Sequence, residues 1–115
     1  MTDYQSAIGH AQILRYKKEL IKRKVNAVNY HNYLKNIDFI KLPNYTSNCS
    51  YFIFQIFIKE SKRSKVMKAL TKNKIGFSIH YAKPIDKMSY YFKRNKLLCK
   101  NAKIYSNQNI SLPVH

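Results

Sequence analysis

Nine consecutive residues, Ser50-Tyr51-Phe52-Ile53-Phe54-Gln55-Ile56-Phe57-Ile58, constrain this chain more than any other segment. They are aromatic or β-branched almost throughout, the composition that suits a pleated, buried surface. Both alternating faces are apolar, which predicts a central strand covered on two sides. Such a strand requires a sheet around it and further elements packed on that sheet. Downstream, Lys62 to Lys72 predicts a short helix that buries Val66, Met67 and Leu70, ended by Asn73-Lys74-Ile75-Gly76. Ile75 to Tyr81 then predicts a second strand, with Ile75, Phe77 and Ile79 on one face, closed by Pro84.

Upstream, Thr2 and Gln5 are spaced as a capping box, with Thr2 at the N-cap and Gln5 reaching back. A helix is expected from there to about Lys35. Its apolar positions Leu14, Ile21, Val25 and Val28 step by 7, 4 and 3 along one stripe, with Leu34 near the end. A helix this long suggests an element that lies against something larger. Asn36 to Asn48 reads as connection, with Pro43 and the Asn/Ser/Thr run marking turns. Tyr90-Tyr91-Phe92 predicts a short helical turn, Asn101 to Asn107 a weak helix, and Ile110-Ser111-Leu112 a last extended segment. The expected fold class is α+β: a long N-terminal helix packed on a small sheet with a strand–helix–strand core. At 115 residues this is one domain, spanning 1–115, with no repeat or linker dividing it.

Twenty-two Lys and Arg face five Asp and Glu, a formal charge of +17. With ten tyrosines and six phenylalanines, that invites a nucleic-acid reading through phosphate neutralisation and base stacking. The distribution argues the other way. The densest cluster, Lys17 to Lys24, is interrupted at helical spacing, as on a solvated face. Lys, Asn, Ile, Tyr and Phe are also the residues of A/T-rich codons, so coding drift alone would raise them. The positive field still favours anionic ligands, nucleotide-linked sugars among them. No apolar run approaches a membrane span, and no basic and apolar leader opens the sequence. Cys49 and Cys99 lack metal or redox spacing and read as reduced thiols, so a cytoplasmic protein is expected.

Chemistry-bearing motifs are few. Two glycines, Gly9 and Gly76, cannot build a phosphate loop, and there is no nucleophile elbow. The five carboxylates Asp3, Glu19, Asp38, Glu60 and Asp86 are too scattered for an acid/base pair. His10, His31, His80 and His115 show no metal-ligand spacing, so no metal site and no catalytic residue is assigned. His10 and His31 read as surface or packing residues of the long helix. His80, followed by Tyr81 at a predicted strand end before the turn Ala82-Lys83-Pro84, occupies a position where scaffolds present functional groups. An imidazole and a phenol there could touch a sugar or phosphate, or simply cap the strand and pack under the loop.

Four segments, in order, resemble one family. Met1-Thr2-Asp3-Tyr4-Gln5-Ser6-Ala7-Ile8-Gly9 with Ala11-Gln12-Ile13 is similar to the "M-T-[DE]-x-Q-A-A-[IL]-G-x-A-Q-L" helix of the DegT/DnrJ/StrS sugar aminotransferases. Lys22-Arg23-Lys24 with Asn29-Tyr30 resembles the continuation of that helix. Ile75 to Ile85 resembles the family's "I-G-x-x-x-H-Y-x-x-P-[LI]" strand and turn, and Asn101 to His115 its "[IL]-S-L-P-x-[HY]" segment. The resemblance is to the C-terminal portion of a fold-type I enzyme dependent on pyridoxal phosphate. It implies amino transfer from glutamate to a nucleotide-linked keto sugar, in polysaccharide or amino-sugar synthesis. The resemblance places His80 and Tyr81 at the sugar-binding cleft, as substrate-binding residues. Thr2, Asp3 and Gln5 fall near the cofactor and the dimer interface. Asp86 departs from the pattern, standing where many members carry a second histidine.

The cofactor's lysine and its large domain have no counterpart in these residues. The expectation is therefore a truncated small domain that binds no pyridoxal phosphate and is inactive alone. An alternative is one subunit of a split aminotransferase, docked on a large-domain chain or on a second copy. A small basic nucleic-acid-binding protein is the reading from a different class.

Overall fold

The computed structural model describes residues 1–92 and 99–114. Helix α1 spans Asp3–Leu34, and its capping box forms as the spacing predicts. The Thr2 hydroxyl accepts from the Gln5 amide at 3.3 Å, and the Gln5 side chain accepts from the Thr2 amide at 3.0 Å. Strands β1 (Ile40–Lys41) and β2 (Phe54–Ile58) follow, then helix α2 (Glu60–Lys72), a 3-10 turn (Ile85–Lys87), helix α3 (Ser89–Phe92), helix α4 (Lys100–Gln108) and strand β3 (Asn109–Leu112). The sheet is antiparallel in the order β1-β2-β3, with Ile40 opposite Ile58, and Ile56 opposite Ile110. The α+β class and the central position of β2 agree with the sequence. His115 lies outside the described residues.

Phe54, Ile56 and Ile58 of β2 form the core with Ala27, Tyr51, Ile110 and Val114. Val66, Met67 and Leu70 of α2 pack on it, half-buried rather than buried. The C-terminal third of α1 closes one side: Tyr30 and His31 set their rings 5.1 and 5.6 Å from Phe54. Asn26 and Tyr30 donate to the Val114 and Pro113 carbonyls at 3.2 and 2.6 Å, tying the chain end to the helix. His31 is thus a packing residue, and His10 is exposed.

Three expectations need correction. The central strand begins at Phe54 rather than Ser50, because Tyr51 takes a left-handed backbone (φ 47°). That conformation costs about 1 kcal/mol for an L residue. The Tyr51 hydroxyl offsets it by bonding both the amide and the carbonyl of Thr46 at 2.9 Å, closing residues 46–51 into a loop. The second strand expected over Ile75–Tyr81 reduces to one bridge, Ser78 to Ser111. Both edges of β2 are already paired, so this segment meets only the outer edge of a four-residue strand, and Ile75 stays exposed. The strand that follows α2 in the core is β3. Finally, Leu34 does not continue the stripe of Leu14, Ile21, Val25 and Val28: it packs on the core while those four stay exposed.

Candidate functional site

Because side chains alternate across a strand, the core residues of β2 leave Gln55 and Phe57 on the opposite face. There they floor a cleft of about 620 Å³. α4 supplies one wall through Ala102, Tyr105 and Ser106, and the segment from His80 to Met88 supplies the other. Phe57 and Tyr105 meet edge to face, with centroids 5.0 Å apart. Arg63 of α2 anchors the junction of α4 and β3, where its Nε and Nη2 donate to the Asn109 carbonyl at 3.2 and 3.1 Å.

Both residues singled out from the sequence line this cleft. His80 is held from three sides. Its carbonyl accepts from the Gln55 side-chain amide, its Nδ1 lies 3.0 Å from the Ser111 hydroxyl, and its ring meets Tyr81 edge to face at 5.8 Å. The peptide joining His80 to Tyr81 is cis. Tyr81 is 75% exposed, so its phenol faces outward while its carbonyl sits 3.5 Å from the Asn109 amide nitrogen. One side chain is clamped and the other is free to meet a ligand. None of Thr2, Asp3 and Gln5 lines the cleft.

The sequence reading passed over Gln55, Asn109 and Ser111. Gln55 carried a signal: it is the lone amide in an otherwise apolar run, and a polar group in a strand interior needs a partner. Asn109 is 2% exposed and donates to the Tyr105 carbonyl at 2.8 Å. Nothing local distinguishes it from the chain's many surface asparagines.

Asp86, the departure from the family pattern, is buried in the 3-10 turn beside the cleft. Its Oδ2 accepts from the Cys99 amide at 3.4 Å, at the start of α4. A helix N-terminus is the natural seat for a phosphate, and here a carboxylate already occupies it. The rest of the lining is chiefly Phe57, Ile85, Met88, Ala102 and Tyr105, with Lys83 as its one cation among the described residues. This donor set does not fit pyridoxal phosphate, whose phosphate calls for a cup of amides, hydroxyls and cations.

Comparison with known proteins decides the family. A model of the DegT/DnrJ/EryC1/StrS aminotransferases matches residues 1–115. The chain belongs to that family. Its relative RfbH, a lipopolysaccharide biosynthesis protein of Salmonella typhimurium, is 33% identical over 101 residues, covering 79% of this chain and 22% of RfbH. Among solved structures, Helicobacter pylori PseC, an aminotransferase of pseudoaminic acid biosynthesis, superposes with a TM-score of 0.84 at 26% identity. That match covers 96% of this chain and 31% of PseC. DesV of S. venezuelae shares the fold with a TM-score of 0.85 at 19% identity, over 96% of this chain and 30% of DesV. The DegT-family chain thus spans between a fifth and a third of the length of these proteins. No helix among the described residues is long and apolar enough to cross a membrane.

Proposed function

We propose that these 115 residues are the small-domain portion of a nucleotide-sugar aminotransferase of the DegT/DnrJ/EryC1/StrS family. In that enzyme an amino group passes from glutamate to a keto sugar, in polysaccharide or amino-sugar biosynthesis. Pyridoxal phosphate supplies the electron sink when bound, and the groups that hold it belong to a large domain outside these residues. His80 and Tyr81 take part in placing the sugar: the cleft wall is fixed through His80, and Tyr81 offers its ring and hydroxyl to the ligand. The observation carrying this reading is the family match along the whole chain, combined with a cleft that holds the His-Tyr pair and, among the described residues, lacks a phosphate cup. Alone, the chain transfers no amino group and works in the cytoplasm as part of a larger assembly.

The test is direct. Incubation with pyridoxal phosphate, then borohydride, leaves no single lysine stoichiometrically modified, and no amino transfer from glutamate to a nucleotide-linked keto sugar is measured. One lysine modified to completion, with turnover, overturns the reading. A split enzyme is a second form of the same proposal, favoured by the apolar surface of α1 left uncovered. It predicts that a separately encoded, lysine-bearing chain co-purifies with this one. Nucleic-acid binding has only charge and aromatic content behind it, and steep loss of single-strand affinity with salt would be its signature.

A further inference from the structure

Ser111 sits where three parts of the fold meet. It lies across from Gln55 in the pairing of β2 and β3, on the sheet face that floors the cleft. Its backbone is engaged on the other edge: the Ser111 amide donates to the Ser78 carbonyl at 2.8 Å, and its carbonyl accepts from the Ser78 amide at 3.1 Å. The side chain remains, in a residue that is 5% exposed. Its hydroxyl lies 3.0 Å from His80 Nδ1 and, among the described residues, has no other partner. Because Gln55 and Ser111 are cross-strand neighbours, the amide of one holds the His80 carbonyl while the hydroxyl of the other holds its ring.

The direction of that bond follows from counting protons. A hydroxyl has one proton to give, and a neutral imidazole has one nitrogen that gives and one that receives. A proton on Nδ1 would be donated to Ser111 Oγ and would leave the hydroxyl's own proton without an acceptor in a buried setting, which is costly. With the hydroxyl donating, one bond satisfies both groups and the ring proton falls on Nε2. That nitrogen has no partner among the described residues, yet it is not sealed in as the Nε2 of His31 is. The His80 ring lines the cleft and two neighbouring hollows. We infer that Ser111 is a positioning residue: by donating to Nδ1 it fixes neutral His80 as the Nε2–H tautomer and presents the site with an N–H donor. The group met at Nε2 is then a ligand oxygen with a free lone pair, and an ammonium group, which has only protons to offer, is turned away there. So held, His80 binds and orients and does not act as a base, since its lone pair lies under the Ser111 hydroxyl. That the ligand is a sugar rests on the function proposed above; the tautomer does not.

The test reads the tautomer itself. In the chain with isotopically labelled histidine ring nitrogens, at mildly alkaline pH where an ordinary imidazole is neutral, long-range proton–nitrogen spectra show which nitrogen carries the proton. His80 is assigned from the signal lost in His80→Gln, and His10, exposed on α1, reports the mixture of an unheld ring. The Nε2–H form of His80 is expected to exceed the Nδ1–H form at least about tenfold. Ser111→Ala brings His80 to the His10 mixture. Ser111→Thr keeps the hydroxyl on a residue suited to a strand and retains the parent spectrum. Circular dichroism and thermal midpoints establish that each variant is folded; should the alanine variant not fold, the parent and the threonine variant decide. A proton on Nδ1 of His80 in the parent, or a His10-like mixture there, overturns the inference. So does a single tautomer surviving in folded Ser111→Ala, or a folded threonine variant that behaves as the alanine one is expected to. No ligand, cofactor or turnover enters the measurement, so its failure and the failure of the aminotransferase reading are told apart.

Discussion

Asn109 ties together three of the segments around the cleft. Its side chain joins α4 to the segment after His80, and its carbonyl receives Arg63 from α2. Replacing it by alanine removes the side-chain bonds to the Tyr105 and Tyr81 carbonyls, while the Tyr105 carbonyl keeps the backbone amide of residue 109. The expected loss is about 1 to 2 kcal/mol, read as a lower urea midpoint. Arg63→Met keeps the bulk of that side chain and removes two bonds to one carbonyl. A comparable loss of about 1 to 2 kcal/mol is expected from the same measurement. Tyr30 carries a pH dependence. Burial raises its phenol above the ordinary value near 10, so the folded chain holds the proton more tightly than the unfolded one. The stabilisation is full below the unfolded value and fades as pH climbs through the higher folded value. Tyr30→Phe removes this component. The stability difference between parent and variant should shrink above pH 10, in paired denaturation curves taken at neutral and alkaline pH.

At the scale of elements, the two helix ends contrast. The N-terminal turns of α1 have a complete capping box and no core residues, since burial in that helix is confined to Ala27. Thr2→Ala therefore frays the first turns and accelerates amide exchange there, while the global unfolding midpoint moves little. The end of α2 is a Schellman closure: the Ile75 amide reaches the Leu70 carbonyl at 2.9 Å and the Lys74 amide the Thr71 carbonyl at 3.0 Å. The left-handed position is filled by Lys74 (φ 56°), where glycine is the unstrained choice. Lys74→Gly is expected to stabilise the chain by about 0.5 to 1 kcal/mol, measured in urea. The start of α1 and the end of α2 are legible in the sequence because both signals are local. The strand over Ile75–Tyr81 was misread because alternation reports a residue's fitness for a sheet and says nothing of whether an edge is free.

The whole molecule is more extended than its length requires. Its radius of gyration is 17.5 Å over Cα atoms, against about 13 Å for a compact domain of this size. A 32-residue helix runs about 48 Å, and the sheet it covers is short. Small-angle scattering of the monomer should return a value well above the compact one. From sequence alone, the chain determines its helices, the buried strand β2, the capping of α1 and the family motif around His80 and Tyr81. Each depends on residues near one another in the chain. Tertiary structure decided which strand pairs with β2, that Gln55 and Ser111 clamp His80, that Asp86 meets the start of α4, and which side of α1 stays bare. Those depend on residues far apart in sequence meeting through the sheet, where the free hydrogen-bonding edges and the covered faces are set by the assembled neighbours.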